Sequence, residues 1–98
     1  MITTLYIDTS EMKTTRVALE RDGHRIEKTV SSDTWRSQAV LPLIQQLLHE
    51  QNIPLTELGA ITVHTGPGSF TGLRVGYSVA QMLATLLEIP INGAIHRE

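Results

Sequence analysis

Apolar positions recur along this chain first with a period of two and then with a period near 3.6. Residues 2–8, ITTLYID, mix β-branched and aromatic side chains and stop at Asp8-Thr9-Ser10, which predicts a buried strand ending at a polar turn. Residues 14–20, TTRVALE, put Thr15, Val17 and Leu19 on one side of a second strand. Asp22-Gly23 follows, and Asp-Gly between two extended runs is a hairpin signal. Residues 25–31, RIEKTVS, form the returning strand, and Glu27 and Lys28 suit a sheet edge because charge discourages pairing with other chains.

The period then lengthens. Val40, Leu43, Ile44, Leu47 and Leu48 make one apolar stripe, predicting a helix from about Trp35 to Gln51 with Ser32, Asp33 and Thr34 as N-cap candidates. Pro42 lies inside this stripe. It either kinks the helix or marks a first turn that begins near Leu41. Asn52-Ile53-Pro54 ends the helix. Residues 58–65, LGAITVHT, suit a central strand, and Gly66-Pro67-Gly68-Ser69 makes a tight connection to a second helix over about 70–88. Residues 89–95, IPINGAI, read as a last strand with proline near its start. The order βββαβαβ predicts an α/β fold, a mixed five-stranded sheet with helical cover and right-handed crossovers.

Composition narrows the function classes. The 98 residues are 41% hydrophobic and 18% charged, which suits one small globular domain. The net charge is −2, and the arginines at 16, 21, 25, 36, 74 and 97 form no run. Strong nucleic-acid binding by this chain alone is therefore not expected. With no cysteine, disulfides and thiolate metal sites are excluded. No apolar stretch is long enough to cross a membrane. Met1 leads directly into a strand-like run rather than a basic leader, so a cytoplasmic location is expected.

The segment Gly66–Gly76, GPGSFTGLRVG, carries the most information. A Walker A loop needs lysine on the phosphates, and the segment has none. A dinucleotide fingerprint needs a third glycine where Thr71 stands. A zinc-protease site needs paired histidines, yet His24, His49, His64 and His96 are far apart, and the sequence calls for no metal or cofactor. Gly72, Gly76, Ala80 and Ala84 recur every four residues, a ridge of small side chains on the second helix. Glycine inside a helix costs about 1 kcal/mol against alanine, so close approach of another backbone is implied. That backbone belongs either to the domain's own sheet or first helix, or to a partner helix. Tyr77, Leu83 and Leu87 lie around the ridge and complete the candidate interface. Arg74, near the helix start, opposes the macrodipole and calls for an anion: either Asp8 or a partner's carboxylate. The hydroxyls of Thr9, Ser10, Ser69 and Thr71 have no histidine base nearby in sequence and suit capping or turns. Trp35 and Phe70 suit packing, with Trp35 also a possible interface anchor.

LYIDTS, RSQAVLPLIQQLL, GPGSFTGLRVG and IPINGAI, in this order and spacing, resemble the TsaB (YeaZ) family. The resemblance implies a ribonuclease H-like domain of the actin-like ATPase (ASKHA) type, with residues 1–98 as the amino-terminal one and a second domain absent. It implies a non-catalytic subunit that supports a TsaD-like enzyme in threonylcarbamoylation of N6 of adenosine 37 in tRNA. It further implies a TsaE-like ATPase as partner, a homodimer when alone, and only indirect contact with tRNA. The motif loop is then Gly66, Pro67, Gly68, Ser69, Phe70, Thr71, Gly72 and Arg74, and the small ridge becomes the docking seam. Asp8, Thr9 and Ser10 occupy the place of a nucleotide site, but the glycine expected in that turn is missing. The alternative reading is an actin-like nucleotide hydrolase using Asp8 and the glycine loop.

Overall fold

A computed structural model describes residues 2–11, 13–31, 36–68 and 70–95. The N-cap candidates Ser32, Asp33 and Thr34, together with Trp35, Ser69 and His96, lie outside them. Strands β1 (Thr3–Asp8), β2 (Thr14–Arg21) and β3 (His24–Ser31) form an antiparallel meander. Asp22 and Gly23 turn the hairpin with φ of 54° and 82°, the left-handed pair that a two-residue loop needs. Helix α1 (Arg36–Glu50) leads to β4 (Leu58–Val63), which pairs parallel with β1. Helix α2 (Phe70–Leu87) returns the chain to β5 (Pro90–Ile91), parallel to β4, and β6 (Ala94–Ile95). The sheet order is β3-β2-β1-β4-β5-β6, with β3 at the edge as its charges predicted.

The last strand is folded in two. Asn92 and Gly93 take φ of 50° and 84° and reverse the chain, so the run 89–95 contributes two short strands and the sheet counts six. The Asn92 amide then acts as a further rung beside β4. Its Oδ1 accepts the Val63 N–H at 2.8 Å and its Nδ2 donates to the Val63 carbonyl at 3.2 Å.

Both helices end the same way. Asn52 and Glu88 take positive φ, and the amides of Ile53 and Ile89 reach back to the carbonyls of Leu48 and Ala84 at 3.0 Å. These are Schellman closures, each followed by proline, and Ile53 and Ile89 pack against the core. Pro42 stays inside α1 on its exposed side, so the helix runs through it rather than starting there.

The core lies on one side of the sheet. Leu5 and Ile7, Val17 and Leu19, and Ile61 and Val63 face Val40, Ile44 and Leu47 of α1 and Ala80, Leu83 and Ala84 of α2. The opposite side carries Tyr6, Asp8, Arg16, Arg25, Glu27 and His64 around a shallow hollow of about 190 Å³.

Candidate functional site

The alternation of β1 fixes the site. Leu5 and Ile7 point at the helices, and Thr9 continues the same side as the chain leaves the strand, so its hydroxyl meets α2 while Asp8 points to the other side. Thr9 is buried, and its Oγ1 accepts the Gly76 N–H at 3.1 Å and donates to the Gly72 carbonyl at 2.5 Å. In a regular helix these two backbone groups pair with each other. A Cβ at Gly76 would overlap Thr9 Oγ1 and lie 3.4 Å from the Ile7 methyl group. Glycine is therefore required by the approach of β1.

Gly68 serves the neighbouring residue. A Cβ there would stand 2.5 Å from Ser10 Cβ and 2.8 Å from the Ser10 carbonyl oxygen. The glycine loop and the Asp8-Thr9-Ser10 turn are thus one unit, fastened at Ser10–Gly68 and at Thr9–Gly76. The Ser10 amide and hydroxyl both donate to Asp8 Oδ1, at 2.9 and 2.6 Å. Partial burial pushes the Asp8 carboxyl up. The Ser10 bonds outweigh it, with His64 and Arg16 nearby, and hold the group below its ordinary value. His64 follows β4, donates its own amide to the Ile7 carbonyl at 2.9 Å, and brings Nε2 within 3.0 Å of the Pro67 carbonyl.

Helix α2 has two opposed ridges. The inward one is Gly72, Gly76, Ala80 and Ala84, all buried with Leu83 against the domain's own sheet and first helix. Two positions on, about 200° around a helix of 3.6 residues per turn, runs the outward series Phe70, Arg74, Ser78, Met82 and Leu86. Phe70 is 73% exposed, Leu86 68%, Met82 47% and the adjacent Tyr77 39%. The expectation that Gly72, Gly76, Ala80, Leu83 and Ala84 meet a partner is therefore corrected: the backbone they admit is β1 of the same chain. Leu87 is half-buried against the core, and of the expected seam only Tyr77 is exposed. Arg74 makes no ion pair with Asp8, because Asp8 lies on the other side of the sheet. Its guanidinium stands over the Phe70 ring, 5.6 Å from the centroid. Phe70 is thus not a packing residue.

Residues 32–98 match the family model for TsaD, tRNA N6-adenosine threonylcarbamoyltransferase. The chain is 37% identical over 89 residues to the tRNA threonylcarbamoyladenosine biosynthesis protein TsaB of Escherichia coli (strain K12), covering 91% of this chain and 38% of that protein. It is 36% identical over 92 residues to TsaB of Bacillus subtilis (strain 168), covering 93% of this chain and 40% of that one. The solved structure of YeaZ from Pseudomonas aeruginosa superposes with a TM-score of 0.86 at 35% identity, over 93% of this chain and 42% of that one. The chain belongs to the TsaB (YeaZ) family. It spans about two-fifths of the length of these TsaB relatives.

Within this TsaB fold, two residues were missed by reading the sequence. Thr9 was read as a turn hydroxyl, although its parity with Leu5 and Ile7 signals that it faces α2. Asn92-Gly93 is itself a hairpin signal, obscured by its place inside an apolar run. The described histidines stand on separate elements, His24 on β3, His49 on α1 and His64 after β4.

Proposed function

We propose that this chain is the ribonuclease H-like domain, residues 1–98, of a TsaB-type subunit that supports threonylcarbamoylation of tRNA without catalysing it. Its partner in this reading is a TsaD-type transferase, the enzyme whose family model the chain matches. The observation that carries the proposal is the outward ridge of α2. Phe70, Tyr77, Met82 and Leu86 leave apolar surface exposed along an 18-residue helix that is firmly seated on its other side. Such a helix offers a rigid face for a partner helix.

A non-catalytic role is supported by the Asp8 turn. Ser10, packed on Gly68, occupies the space that backbone amides would need to approach a phosphate, and the Asp8 carboxylate is already engaged by Ser10. A TsaE-type ATPase as further partner, a homodimer in the absence of the transferase and a cytoplasmic location follow from the same family reading. The scattered arginines favour indirect contact with tRNA.

The test is reconstitution. The chain should co-purify with a TsaD-type transferase and raise its modification of tRNA, and should not turn over ATP alone. Hydrolysis of ATP by the isolated chain, lost in Asp8→Asn, would overturn the proposal.

A further inference from the structure

We infer that the outward ridge of α2 takes an apolar helix face carrying a carboxylate opposite Arg74, presented by a different protein and not by a second copy of this chain. The inference rests on the docking role proposed above and specifies the partner's chemistry.

Arg74 is the only charged residue in the sequence of α2, FTGLRVGYSVAQMLATLL. It stands on the ridge between Phe70 and Ser78 and borders a groove of about 430 Å³ together with Leu73, Tyr77, Gln81 and His64. The grooves further along the ridge are lined by neutral side chains apart from Arg74 itself. A partner helix laid along this seam removes water from the guanidinium. An unpaired charge in that position opposes docking, whereas a carboxylate can pair with it through two parallel hydrogen bonds. The Phe70 ring restrains the guanidinium beforehand, so less freedom is lost when the pair forms.

A second copy fits this surface poorly. A two-fold contact joins a patch to itself. The ridge offers one cation and no anion, so a self-pair covers two guanidiniums with nothing to neutralise them. Glu88, just beyond α2, does not help. It continues the inward series 72, 76, 80, 84 and takes the left-handed conformation of the helix cap, φ 56°. A different protein with one Asp or Glu on its apolar stripe satisfies Arg74, and the same charge discriminates against self-association.

The test uses the full chain, with a purified TsaD-type transferase from the same organism as the probe, by calorimetry at low and high salt. Arg74→Glu is expected to weaken binding roughly tenfold or more and to remove its salt dependence, and Arg74→Gln to weaken it roughly fivefold. Met82→Glu should abolish binding. All three positions are solvent-facing, and thermal melting monitored by circular dichroism checks that each variant folds. If Arg74→Glu binds like wild type while Met82→Glu does not bind, docking stands and the carboxylate is wrong. If Met82→Glu also binds like wild type, the docking role falls and the inference with it. Sedimentation equilibrium is expected to show wild-type self-association weaker than transferase binding. Self-association as tight as transferase binding, and unaffected by Arg74→Glu, would make the occupant a second copy and overturn the inference.

Discussion

The Thr9 hydroxyl touches α2 where Gly76 lacks a side chain, accepting the Gly76 amide at 3.1 Å. The contact joins the first strand to the second helix across 67 positions of sequence. It gives a physical reason for two glycines in a helix and determines which side of α2 is free to meet anything else.

Gly76→Ala should destabilise the domain by about 1–3 kcal/mol through overpacking against Thr9, although alanine is the better helix former by about 1 kcal/mol. In Thr9→Ala/Gly76→Ala the overlap is gone, and the remaining neighbours, the Ile7 methyl and the residue-9 Cβ, lie at 3.4 and 3.5 Å. Urea denaturation should give a double mutant less destabilised than the two singles summed, by at least about 0.5 kcal/mol. Strict additivity would remove the contact as the reason for the glycine.

Gly68→Ala should also destabilise, but without rescue from Ser10→Gly. Backbone atoms of Ser10, its carbonyl oxygen at 2.8 Å and its Cα at 2.9 Å, obstruct the new methyl as well as the side chain does. Equal stability of Gly68→Ala and wild type in denaturant would contradict the fastening of loop to turn.

Asn92→Ala removes both hydrogen bonds to Val63 and leaves a part-buried N–H and C=O without that partner. The expected cost is about 1–3 kcal/mol, and hydrogen exchange at the Val63 amide should accelerate. An unchanged exchange rate there would show that water replaces the side chain without penalty.

Asp8 predicts the sign of an acid dependence. Its carboxyl titrates below the ordinary 3.8 in the folded chain, so it contributes stability above the unfolded-state value. That contribution is lost as pH falls through the lower folded value. Wild type should melt above Asp8→Asn at neutral pH, and the gap should close in acid. A gap that widens on acidification would reverse the assignment. The group is mostly solvent-exposed, so the effect is small.

Much of this was legible along the chain because it depends on neighbours. The alternation in 14–20, the Asp22-Gly23 turn and the 3.6-residue stripe through Ile44 and Leu47 each set local geometry and burial together. The small-residue ridge was equally visible, and so was the need for a close backbone beside it. Its direction was not. Periodicity places Gly76 and Met82 on different faces of one helix, but it cannot say which face meets the sheet. A pattern of small residues is the same whether the approaching backbone belongs to this chain or another. Only the tertiary structure brings Thr9 across from β1 to fill the notch at Gly76, and that contact leaves Phe70, Met82 and Leu86 in solvent.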